Sequence, residues 1–172
     1  MLNVEKDFKG MPILATDTGA KLGEIRDALI HPVEGLVMGG VAVTADGDER
    51  RLRVSDFVVG QDAVMMSQKS FRYAGDYANE MEGGIRAIGE MIGSTVVTED
   101  GKLLGRISEV YIGADRPQVV YRVAESTLQK FFGGGFFIDG NVAISYAPDG
   151  ARIIVPAETE DRYAASSLSE FF

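Results

Sequence analysis

Asp17–Ile25 reads DTGAKLGEI, and Glu99–Ile107 reads EDGKLLGRI. A constant offset of 82 residues aligns Gly19 with Gly101, Leu22 with Leu104, Gly23 with Gly105 and Ile25 with Ile107. Carried outward, the same offset matches Thr16 to Thr98, Ile30 to Ile112, and the acidic Asp27 to Glu109. Each copy begins with an acidic-Gly turn, where glycine takes the positive φ of a tight hairpin and Asp bonds its own backbone. Each turn leads through Leu-Gly into a long β-prone run, EIRDALI or RISEVYI. A glycine inside a strand marks a bulge or sharp bend, and bent strands are what a small barrel requires.

More strand-like segments follow in both halves. The first half has GLVMGGVAV, RRLRV, FVVG and AVMM; the second has PQVVYRVA, FFIDGNVAISY and ARIIVP. Each half therefore offers five or six short strands. A repeat of about 80 residues is too long for a solenoid unit but suits a closed β module. The reading is mainly β, with two tandem small barrels.

These motifs resemble the PRC-barrel domain family. The resemblance rests on GMPILATDTGAKLGEIRD from Gly10, on GSTVVTEDGKLLGRISE from Gly93, and on later segments such as DAVMM and NVAISY. The second copy departs from the pattern at Ser126–Phe137, where STLQKFFGGGFF replaces a short acidic turn. Members of this family include the cytoplasmic part of the H subunit of photosynthetic reaction centres and the C-terminal domain of a ribosome maturation factor. The resemblance implies a protein-binding adaptor rather than an enzyme.

Between the halves, Tyr77, Met81, Ile85, Ile88 and Ile92 recur at helical spacing, broken by Gly83 and Gly84. At the end, ETEDRYAASSLSEFF reads as a helix capped by Thr159, with Ala164, Leu168, Phe171 and Phe172 on one side. The expected organisation is a first barrel over 1–67, a helical linker over 68–91, a second barrel over 92–157 and a C-terminal amphipathic helix over 158–172.

The chain has 172 residues, 45% hydrophobic and 25% charged, with 21 Gly and 5 Pro, as expected of a globular protein rich in turns. A net charge of −9 opposes direct nucleic-acid binding and charge-driven docking on anionic lipid. No apolar run reaches the ~20 residues of a membrane span. With no Cys and no signal-like N-terminus, the expected location is cytoplasmic.

Little in the sequence suggests chemistry. His31 is the only histidine, so a metal or base role lacks companions and a loop position is expected. Asp46, Asp48 and Glu49 read as a solvated turn, and Arg51 and Arg53 as the outer face of a strand whose Leu52 and Val54 face inward. Gly133–Gly135 lacks the Lys-Ser or Lys-Thr of a phosphate loop. No catalytic residue, metal site or cofactor is expected. The candidate partner-contact residues are Leu168, Phe171 and Phe172 on the tail and Phe131, Phe132, Phe136 and Phe137 around the glycine loop. The leading expectation is a self-associating scaffold with unidentified protein partners. A sensor binding a small molecule or ion between the barrels, and a ribosome-assembly accessory meeting a basic ribosomal protein, are the alternatives.

Overall fold

The computed structural model describes residues 1–74, 84–114, 116–125 and 134–171. Strand β1 is Leu2–Asn3, β2 Pro12–Ala15, β3 Lys21–His31, β4 Leu36–Val43, β5 Glu49–Arg53, β6 Phe57–Val59 and β7 Val64–Met66. Helix α1 follows at Gln68–Tyr73, then β8 at Arg86–Ala87 and α2 at Ile88–Met91. The second half continues with β9 Thr95–Thr98, β10 Leu103–Ile112, β11 Val119–Ala124, β12 Phe136–Asp139, β13 Ser145–Tyr146, β14 Arg152–Val155 and the single turn α3, Thr159–Arg162.

The chain is mainly β, in two seven-stranded sheets of the same order: β5-β4-β3-β2-β7-β6 and β12-β11-β10-β9-β14-β13. Neither ladder closes on itself among the described residues, so each barrel keeps an open seam between its end strands. The registers also correspond. Ile13 pairs with Gly23 and Leu14 with Lys21; Val96 pairs with Gly105 and Val97 with Leu103. Leu22 and Leu104 are therefore the bulged residues, and the Leu-Gly pair is the bend read from the sequence. A Cβ at Gly23 would strike the Val43 carbonyl oxygen, and one at Gly105 would lie 2.5 Å from that of Ala124. Strands β2 and β9 are then joined in parallel by β7 and β14, Ile13 opposite Val64 and Val96 opposite Ile153.

The hairpin turns differ by one residue. The amide of Ala15 bonds the Ala20 carbonyl at 2.8 Å, and that of Thr98 bonds Lys102 at 2.9 Å. Thr98 thus corresponds to Ala15, not to Thr16, while Gly19 and Gly101 keep their match. The first turn absorbs the additional residue without disturbing either strand.

The two halves exchange their leading strands. β1, at the start of the first half, pairs with β10 of the second, Leu2 opposite Ile112 and Asn3 opposite Tyr111. β8, at the start of the second, pairs with β3 of the first, Arg86 opposite Ile30 and Ala87 opposite Leu29. These are equivalent registers. Each leader then coils once, through a π turn at Val4–Phe8 or through α2, and buries Val4 and Phe8 or Ile88 and Met91 completely. The hairpin tips meet on the same pseudo-twofold axis. Leu36 bridges its own counterpart Gln118, flanked by Val37 N–H to Pro117 O at 2.7 Å and Val119 N–H to Gly35 O at 2.9 Å. One continuous apolar core consequently contains side chains from both halves. The barrels are tandem in sequence but not independent in packing.

The terminal segment is less helical than its spacing predicts. Tyr77 and Met81 lie outside the described residues, and of the remaining stripe Ile88 is fully buried in α2. At the C-terminus the chain leaves α3 to exchange hydrogen bonds between Ala165 and Phe137, at 2.8 and 2.9 Å, along the outer edge of β12. A 3-10 turn at Leu168–Phe171 follows, held by Glu170 accepting from the amides of Ser166 and Ser167. Backbone capture by a sheet edge outweighs the helical pattern of side chains here. Among the described residues no helix is long and apolar enough to cross a membrane.

Candidate binding groove

The pseudo-twofold axis creates two equivalent junctions, each between a hairpin tip of one half and a 3-10 turn of the other. In the first, the β3–β4 tip meets the turn Gly140–Val142. Gly35 adopts φ +65°, and a Cβ there would collide with the Asn141 amide; a Cβ on Gly140 would lie 2.8 Å from the Gly35 α-carbon. Two glycines let the backbones touch. Tyr121, fully buried, completes the seal by donating its hydroxyl to the Pro32 carbonyl at 3.2 Å. Burial holds that phenol well above its usual pKa range.

In the second junction, the β10–β11 tip faces the turn Val54–Asp56 and strand β6. Pro117 stands in the place of Gly35, and Val54 in the place of Gly140. Gly40, with no side chain, takes the position of Tyr121 opposite the corresponding strand residue. Backbone contact is prevented, and a groove of about 310 Å³ remains. Its walls are Val54, Phe57 and Val58 on one side and Ile112 and Pro117 on the other, over Phe8; among the described residues Arg116 is the one charged residue of the lining. Val58 is 69% exposed and Val54 39% exposed. The sequence pattern RRLRV places Val54 inward with Leu52; Leu52 is fully buried, but the strand ends at Arg53 and Val54 opens the turn.

A second cluster locks the leaders in place. Glu109 accepts from Lys6 Nζ at 2.6 Å, from Arg122 Nη1 at 2.8 Å and from the Tyr111 hydroxyl at 2.9 Å. Burial works to raise its pKa, but these three donors prevail and hold it at about 2. The counterpart acid, Asp27, accepts the Gly89 amide at 3.0 Å. The acid two residues after the Leu-Gly-x-Ile motif thus ties each long strand to the other half's leader.

The remaining candidate residues are scattered. His31 ends β3 and accepts the Glu34 amide at Nδ1, 3.1 Å away. Arg50, beside Arg51 on β5, donates to the Phe71 carbonyl at 2.9 Å and lies 4.8 Å over its ring. Phe136 and Phe137 are half-buried on β12, with Phe137 edge-on to Tyr111 at 6.0 Å between centroids. The Phe137–Ala165 bridge brings the tail beside them, and Leu168 and Phe171 are half-buried. Phe131, Phe132 and Phe172 lie outside the described residues. Sequence reasoning missed Val54, Val58 and Arg116. The available signal was FVVG, three apolar residues in a strand where alternation demands that one face outward.

No curated protein matches the chain. Residues 84–162, from just before the exchanged strand β8 to the end of α3, match the family model of the PRC-barrel domain. That segment, a little under half of the chain, is what is similar to the PRC-barrel domain family.

Proposed function

We propose that this protein is a non-catalytic, cytoplasmic interaction module: a scaffold or adaptor that binds protein partners and associates with itself, without contacting nucleic acid directly. The observation that carries the reading is the apolar groove at the open junction, which leaves Val54 and Val58 to solvent in a fold whose twin junction is sealed. Contiguous exposed apolar surface marks interaction sites. The match of residues 84–162 to a family of small β modules supports the same reading. In-cell cross-linking read by mass spectrometry, with light scattering on the purified chain, tests it. Cross-links to a defined protein partner or to a second copy are expected. A chain that stays monomeric at every concentration and cross-links to nothing contradicts the proposal.

The groove volume also favours a second reading, a sensor of small apolar molecules, since ligand pockets begin at about 300 Å³. A ligand specific for the native state raises the melting temperature, so a thermal-shift screen separates this reading from the first.

A further inference from the structure

Two sheets with open seams have four end strands, and the molecule treats them unequally. The outer edge of β12 is covered by Ala165 of the tail. β5 carries Arg51 and Arg53, and charge on an edge strand discourages pairing. β13 is only two residues long and has Ser145 where β6 has Val58. β6 itself, Phe57–Val59, has no charge, no proline and no cover among the described residues. Its open side is one wall of the groove.

The orientation of its backbone follows from the pairing with β7. Gly60 N–H bonds the Ala63 carbonyl at 2.9 Å, and bonded and unbonded pairs alternate along an antiparallel ladder. Val58 opposite Met65 is therefore the next bonded pair, and the amides and carbonyls of Phe57 and Val59 point away from β7. They present a donor and acceptor row beside the apolar groove. Across it, Arg116 is exposed and has no ion pair among the described residues.

We propose that the groove binds an extended peptide segment of a partner protein by strand addition to β6, with an apolar side chain seated between Val54 and Pro117 and an Asp or Glu of the peptide paired with Arg116. The proposal rests on the interaction-module reading and names its partner chemistry. Main-chain bonds to the edge supply affinity, and the groove with Arg116 supplies selectivity.

The test begins with a phage-displayed random-peptide library panned on the full-length protein, with an unrelated protein as control. Selected peptides should alternate apolar, β-prone residues and carry an acid. Amide chemical-shift changes on binding should be confined to the region from Val54 to Val59 and to the tip from Gly113 to Gln118. Methylating alternate backbone nitrogens of a selected peptide, or substituting Arg116→Glu or Val58→Lys in the protein, should each weaken binding roughly tenfold or more. Both side chains are exposed, and an unchanged amide spectrum verifies that the variants fold. Failure to enrich any peptide over the control, shift changes elsewhere, or full tolerance of backbone methylation would overturn the proposal. A cellular partner that binds both variants as tightly as the parent sinks strand addition but leaves the module reading standing. Absence of any cellular partner, together with an empty library, removes both.

Discussion

The two junctions on the pseudo-twofold axis share topology and register but end differently, and the difference traces to three pairs of residues. Gly35 against Gly140, with Tyr121 behind them, lets backbone meet backbone. Pro117 against Val54, with Gly40 in the tyrosine's place, holds the same elements apart. One copy of the interface has become core and its twin has become surface. An internal repeat can thus stabilise itself with one interface and offer the other to a partner.

Several substitutions sharpen that contrast. The largest effect is expected at the exchanged leaders. Phe8→Ala removes a fully buried ring from the leading turn and should cost about 4 kcal/mol. Because the leaders are exchanged, chemical denaturation of this variant should show one transition shifted as a whole. Two separated transitions would mean that the halves unfold independently. Next comes the sealed junction. Gly35→Ala places a Cβ against the Asn141 amide at positive φ and should cost about 3 kcal/mol. Pro117→Ala, at the open twin, should cost under about 1 kcal/mol. Equal losses would show that the two junctions are not different after all.

The two motif acids give a smaller contrast. Glu109 is held at a pKa of about 2 in the folded protein, below its ordinary value of 4.5. A depressed carboxylate contributes stability that is complete above its unfolded pKa and is lost as pH falls through the folded one. The window is therefore from about pH 4.5 down to about pH 2. Discounted for its partial exposure, the contribution is about 2 kcal/mol. Glu109→Gln should remove it at neutral pH and flatten the acid limb of the stability profile. Asp27→Asn, which retains an acceptor for the Gly89 amide, should cost about 1 kcal/mol or less by urea titration. The smallest effects belong to Val58→Lys and Arg116→Glu. Each should change stability by no more than ~0.5 kcal/mol while weakening peptide binding roughly tenfold or more, and a large stability loss at either would assign the groove to the core.

What the sequence made legible was local. Gly19 and Gly101 mark the turns, and Leu22-Gly23 and Leu104-Gly105 mark the bulges, because a turn or a bulge is decided within a few residues. The exchange was not legible. β1 and β8 are two residues each, too short for any period, and their partners are chosen by where Phe8 and Met91 find room in the core. The tail reads as helix from Ala164, Leu168 and Phe171, but the free edge of β12 captures Ala165 first. The groove depends on Pro117 and Val54 meeting in space, and neither is unusual in its own neighbourhood.

The central claim is that each half lends its first strand to the other. Nuclear Overhauser contacts on the isotope-labelled full chain test it most directly. Contacts from Asn3 to Tyr111 and from Ala87 to Leu29 are predicted, matching the registers of both exchanged pairs. Contacts from Asn3 to Leu29 and from Ala87 to Tyr111 would place each leader on its own half and contradict the account.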